Sequence, residues 1–130
     1  MEHARLAARD MMIKPIDATK TLFDITHGGN VTSPVPLPGT PQRIDGLSIG
    51  WVQMDRPPPH AGEVHYDGDE ILIIVSGRVR VIGDSPPAPV ELGAGEARVV
   101  PRGEWHRLEV VEPAQLIHIT PGPSGDHRPL

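Results

Sequence analysis

Proline and glycine interrupt this chain every few residues. Sixteen prolines and fourteen glycines fall along 130 positions without a period. Proline breaks helix interiors and is excluded from central strands, and glycine marks turns and bulges, so only short extended segments between turns fit such punctuation. An all-β fold is the expectation. The length suits one domain that encloses its own core without covalent staples.

The apolar segments fit that expectation. TLFDI, LSIGWVQM, EVHY, EILIIV, RVRVI, VEL, ARVVP, HRLEVV and AQLIHIT are each bounded by Gly, Pro or a polar stretch. About eight to ten strands at this spacing indicate a sandwich or barrel. EILIIV and RVRVI read as two strands joined by a hairpin-type connection at Ser76 and Gly77. VTSPVPLPGTPQ reads as irregular or an edge strand, and PGPSGDHRPL as a polar tail. Residues 1–18 read as a loosely attached N-terminal arm, with Met11 or Met12 as alternative starts, and 19–130 as the single domain.

Composition narrows the function classes. There are no cysteines, so disulfides and thiolate zinc sites are excluded and any metal must be held by His, Asp or Glu. A net charge of −5 and only four Phe, Trp or Tyr residues argue against nucleic acid as a partner. No segment has signal-peptide or membrane-spanning character, so the expectation is a cytoplasmic protein with no membrane partner. No nucleophile elbow is present, and the Gly-rich stretches at 28–29 and 93–95 read as turns rather than phosphate loops.

Strand parity singles out one constellation. Alternate residues of a strand share a face, so Glu63 and His65 project together with Val64 opposite. Glu70 shares a face with Leu72 and Ile74, and His106 with Leu108 and Val110. Any one of these at a strand end is commonly just a solvated residue. Together, at the inner ends of three strands, they can converge on one point. Two nitrogen and two oxygen donors suit one divalent metal ion, Mn, Fe, Zn or Ni. Asp67 and Asp69 read as the solvated turn between the strands. His60 lies at the opposite parity to Glu63 and reads as an outsider. His118 reads as lining a pocket or as satisfied in the core, and His3, His27 and His127 lie in polar or terminal segments. Trp51, Tyr66 and Trp105 read as packing residues, with Trp105 near the mouth of the site.

EILIIV is apolar on both faces: Ile71, Ile73 and Val75 oppose Glu70, Leu72 and Ile74. The chain has little spare material to cover the second face, which implies a homodimer or the N-terminal arm folded over it.

The chain resembles the cupin superfamily. That family's first motif, G-x5-H-x-H-x(3,4)-E-x6-G, corresponds to EVHYDGDEILIIVSG, from Glu63 through His65 and Glu70 to Gly77. Its second, G-x5-P-x-G-x2-H-x3-N, corresponds to GEARVVPRGEWH, with Gly95, Pro101, Gly103 and His106 in register. The short loop GDSPPAP separates them, and the resemblance spans roughly residues 45 to 122. Pro57, Glu63 and Val110 depart from the motifs. Of these, Glu63 matters most, because it turns a three-histidine, one-glutamate set into two histidines and two carboxylates. It can act as the fourth ligand or as a general base beside the ion.

The resemblance implies a small single-domain cupin: a double-stranded β-helix, or jelly-roll barrel, of two antiparallel sheets. The metal would be held by Glu63, His65, Glu70 and His106. The implied function is an enzyme acting on a small oxygen-bearing ligand, such as a sugar derivative or a hydroxy or keto acid, through isomerase, lyase or dioxygenase chemistry. The alternative is a non-catalytic module that binds a metabolite or metal.

Overall fold

The computed structural model describes residues 12–32, 35–36, 43–86 and 89–130. Residues 1–11 of the expected N-terminal arm, and most of VTSPVPLPGTPQ, lie outside the described residues. Nine strands run through the rest: β1 (Thr21–Thr26), β2 (Val35–Pro36), β3 (Gly46–Met54), β4 (Gly62–His65), β5 (Glu70–Gly83), β6 (Val90–Gly93), β7 (Ala97–Val100), β8 (His106–Gly122) and β9 (Gly125–Arg128). All pairings are antiparallel. No helix among the described residues is long and apolar enough to cross a membrane.

The 17-residue β8 is the spine. Its second half pairs with β3 from Ala114 to Gly122, and most of its length pairs with β5. At its first residue, His106, it meets Glu63 of β4. The order β2-β1-β3-β8-β4-β9 forms one run, and β5 carries β6 and β7 on its other edge. This all-β arrangement is consistent with a jelly roll. Among the described residues the barrel is not closed, because β2, β6, β7 and β9 each have a single neighbour.

The chain has fewer breaks than its glycines and prolines suggest. Ser76 and Gly77 do not form a hairpin: β5 runs through them as one 14-residue strand. The extra residue is absorbed as a bulge, with register shifts between Ile74 and Val79 against β8. Gly77 takes φ +79°, a conformation open chiefly to glycine, and a bulge uses the same local geometry as a tight turn. HRLEVV and AQLIHIT are likewise one strand, the Pro113 interruption lying beside that bulge. The polar tail also forms a strand, β9, which pairs with β4 from Gly62 to His65.

The core lies between the long strands. Leu72, Ile74, Val79, Leu92 and Leu116 are each at most 3% exposed, and Val52, Met54, Val90 and Leu108 pack against that cluster. The opposite face of β5 is only half-covered. Phe23, Ile49, Ile119, Ile71 and Val99 lie in one row across β1, β3, β8, β5 and β7, and Val99 remains 58% exposed.

Gly77 gives a direct test of the bulge. A Cβ there would run into the carbonyl oxygen of Pro113 while holding an unfavourable φ. Gly77→Ala should therefore cost about 2 kcal/mol or more in urea unfolding. A loss under about 0.5 kcal/mol would show that the strand is not held this way.

Candidate metal centre

Two turns are tied together to build the site. The β4–β5 turn and the loop before β8 meet where the Gly103 N–H donates to the His65 carbonyl at 2.8 Å and the Arg102 N–H donates to Asp69 Oδ1 at 2.8 Å. Asp67 accepts from the Ser124 N–H and so anchors the segment leading to β9. The acidic turn is thus structural rather than merely solvated: its carboxylates satisfy backbone donors that would otherwise be orphaned. The consequence is positional. His65 at the end of β4, Glu70 at the start of β5 and His106 at the start of β8 are brought to one end of the fold.

One donor atom from each of Glu63, His65, Glu70 and His106 lies within 4.8 Å of all the others. His65 Nε2 is 3.5 Å from Glu63 Oε1 and 3.3 Å from Glu70 Oε2. His106 Nε2 is 3.5 Å from Glu63 Oε1 and 3.0 Å from Glu70 Oε1. Glu70 and His106 are 3% and 4% exposed, whereas the Glu63 side chain keeps 32% of its surface.

Hydrogen bonds behind the cluster fix its orientation. His106 Nδ1 stands 3.1 Å from the Glu104 carbonyl, which can only accept, so Nδ1 carries a proton and Nε2 faces the cluster. Thr120, fully buried, donates its hydroxyl to Glu70 Oε2 at 2.6 Å. That proton being used, His118 Nδ1, 2.8 Å from Thr120 Oγ1, must be the donor there, which leaves the bare lone pair of a neutral ring on Nε2. Burial pushes the His118 pKa down, and nearby Arg43 adds to the effect.

The cluster fits a metal ion on two counts. Bonds of about 2.0–2.2 Å to a common ion place neighbouring donors roughly 3.0–3.5 Å apart, matching the spacing found. His65 Nε2 is also buried with no hydrogen-bond partner, although two carboxylates lie within 3.5 Å. Its ring is not aimed along an N–H···O line to either. An orphaned buried nitrogen is costly, and a shared cation in the gap would satisfy it.

Sequence parity placed these four residues together and left others aside. His60 does not join the four, but its Nε2 is 3.7 Å from Glu63 Oε2, and its Nδ1 accepts the Gly62 N–H at 3.2 Å. His118 both lines the neighbouring cavity and is hydrogen-bonded. His127, set aside as part of a tail, lies directly across from Glu63 in the β4–β9 pair, its ring 6.1 Å from that of His60. Thr120 and Arg43 drew no attention; the parity of LIHIT, which puts His118 and Thr120 on one face, could have found the first. Tyr66 is 47% exposed and is not a packing residue. Trp105 is covered by the Arg128 guanidinium, 4.2 Å from its ring centroid.

Without a metal the four groups form paired charges. Burial opposes the His65 and His106 charges, but the adjacent Glu63 and Glu70 carboxylates more than reverse it, raising the imidazoles to about 9 and about 10. Burial likewise pushes Glu70 up, and the two imidazoles overcome it, leaving its pKa at about 2; Glu63 falls below the usual carboxylate range in the same way. The raised histidines stabilise the metal-free fold fully below their ordinary value of 6.5, and that contribution is lost as pH rises through 9 to 10. The lowered Glu70 contributes above 4.5, and its contribution is lost as pH falls towards 2. Thermal melts in chelator should therefore give the highest Tm between about pH 4.5 and 6.5, falling on both sides. Glu70→Gln should flatten the alkaline decline; a wild-type profile flat from pH 6 to 10 would contradict the pairing.

The sequence model of the cupin domain family matches residues 53–120. No curated protein matches the chain. The fold is similar to that of a cupin-2 domain containing protein from Shewanella frigidimarina, at 22% identity over 62% of this chain and 74% of that one, with a TM-score of 0.51. It is also similar to a conserved protein of unknown function from Streptococcus pyogenes, at 28% identity over 64% of this chain and 69% of that one, with a TM-score of 0.53. A third likeness, to oxalate decarboxylase from Bacillus subtilis, a protein with Mn(II) centres, has 18% identity, a TM-score of 0.51, and covers 62% of this chain but 23% of that one. The family match spans both motif regions and the strands that carry the four-residue cluster, and the chain belongs to the cupin domain family.

Proposed function

We propose that the protein is a metal-dependent cupin enzyme. Glu63, His65, Glu70 and His106 hold one divalent ion of the Mn, Fe, Zn or Ni group, and a small oxygen-bearing metabolite binds beside it. The observation that carries this reading is the orphaned His65 Nε2 facing two carboxylates in a buried cluster. A cavity of about 430 Å³ adjoins the cluster, walled by Val52, Leu72, Leu108 and Leu116 and reached by Glu63 and Glu70. That size suits a metabolite rather than a polymer.

Glu63 serves as a ligand in this reading rather than as a general base. Its Oε1 faces the two imidazoles that complete the cluster. Its Oε2 stands near His60, which keeps that oxygen oriented away from the cluster. His118, a neutral ring on the cavity wall whose Nε2 lies over Gly50, is the candidate for proton handling there. When bound, the metal would polarise an oxygen of the ligand as a Lewis acid.

The outer face of β5, only half-covered among the described residues, supports a second part of the reading, a homodimer. An uncharged row such as Phe23, Ile49, Ile119, Ile71 and Val99 suits a twofold contact between copies.

Elemental analysis of protein purified without chelator should find close to one first-row divalent ion per chain. His106→Ala should weaken metal binding by at least about a hundredfold, and Glu63→Ala by at least about tenfold. Full metal affinity in Glu63→Ala would remove it from the ligand set. A wild-type protein that takes up none of Mn, Fe, Zn or Ni would overturn the reading.

A further inference from the structure

Arg43 stands apart from everything the metal site requires. It precedes β3 and lines the same cavity as Glu63, Glu70 and His118. Its Nη1 is buried and has no hydrogen-bond partner among the described residues. A guanidinium is always charged and offers five donors in a fork matched to a carboxylate, so a buried terminal nitrogen with nothing to donate to is a vacancy for an anion. The chain holds Arg43 there by close packing: a Cβ on Gly122 would come within 2.7 Å of the Arg43 Cβ and 2.6 Å of the Ile44 carbonyl. Gly122 is what allows the segment before β3 to lie against the end of β8.

The charges around the cavity point the same way. A divalent ion would be neutralised by Glu63 and Glu70, so neither carboxylate is left to compensate Arg43. At the rim, Asp55 is 3.5 Å from Arg56 and both are largely exposed, so that pair is balanced in solvent. The His118 ring faces the cavity in its neutral form. The Nη1 of a partly buried Arg43 therefore remains without a partner among the described residues. Walls of Val52, Leu72, Leu108 and Leu116 leave room for an apolar body, and a metal on one side asks for an oxygen donor.

We infer that the ligand is a small monocarboxylic acid with a hydroxyl or keto oxygen near the carboxylate, and that Arg43 is the residue that selects its charge. This rests on the metal-dependent reading of the site above. The carboxylate takes the Arg43 fork, and the second oxygen is left for the metal side of the cavity. The apolar body fills the space towards Leu108 and Leu116.

The test uses mandelate and lactate, each against its neutral amide, with calorimetry on both the metal-loaded and the chelator-treated full chain. Loaded wild type should bind at least one of the two acids about tenfold or more tightly than its amide. In Arg43→Gln that preference should fall to within about twofold, with metal content unchanged. Arg43→Lys, which keeps the charge and loses the fork, should recover part of it, which also guards against a merely misfolded variant. Equal binding of acid and amide, persistence of the preference in Arg43→Gln, or no binding of either acid would each overturn the inference. Failure of the metal reading shows separately, as a wild type that stays metal-free. In that case a preference for the acid that depends on Arg43 in the chelator-treated chain would still uphold the anion site, and its absence would overturn it.

Discussion

The structure turns on one buried charge. Glu70 is 3% exposed, and removing a carboxylate from water costs several kcal/mol unless its oxygens are given partners. Its hydrogen-bond partners come from elsewhere in the chain, His106 Nε2 at 3.0 Å on Oε1 and the Thr120 hydroxyl at 2.6 Å on Oε2, and His65 Nε2 stands 3.3 Å from Oε2. These come from the two ends of β8 and from β4, so satisfying Glu70 requires that the strands bend back onto one another. The turn-to-turn bonds of Gly103 and Arg102 hold that arrangement, and the Leu72, Ile74 and Leu116 core beneath excludes the water that would otherwise weaken it.

How far the sequence exposes this depends on the range of the interaction. Glu63, His65, Glu70 and His106 were legible because strand parity is a local rule and each lies at a strand end where the rule applies. The same local rule holds further along β5, where Val79 and Val81 are buried and the Arg78 and Arg80 side chains keep more than a third of their surface. Gly77 was misread because a local signal cannot tell a bulge from a hairpin; pairing with β8, some forty residues away, decides it. The tail was misread because GDHR has no apolar pattern, and its strand exists only through the edge that β4 offers. Arg43 has no local signature at all. Its importance arises from a cavity built by β3, β5 and β8 and from an Nη1 with no partner among the described residues.

These two kinds of residue divide the chemistry between them. Those that parity reveals form the cluster, which local strand geometry can assemble. Those it hides, Thr120, His118 and Arg43, set the hydrogen bonding and charge around it, and they depend on register across β3, β5 and β8. Glu70 and Thr120 come together because Ile71 pairs with Ile119 one step away. His118 sits between Gly50 and Leu72 in the two ladders that flank β8, and only a residue without a side chain at position 50 leaves room for its ring. The surroundings of the site are therefore as dependent on β8 as the core is.

Glu63 and Arg43 are best understood as a pair, although they do not touch. In the three-histidine, one-glutamate pattern that the cupin motif implies, a divalent ion leaves a net positive charge within its own shell, available to an anionic ligand. With Glu63 in place of a histidine, two carboxylates would neutralise a bound ion, and that attraction would be lost at the metal. Arg43 restores one positive charge to the same cavity, but on a fixed guanidinium whose donors have a direction. A charge on the metal would draw any anion into the pocket. A charge on Arg43 would draw one whose carboxylate can reach the fork while another oxygen reaches the metal side, so moving the charge from the ion to the wall would convert attraction into selection.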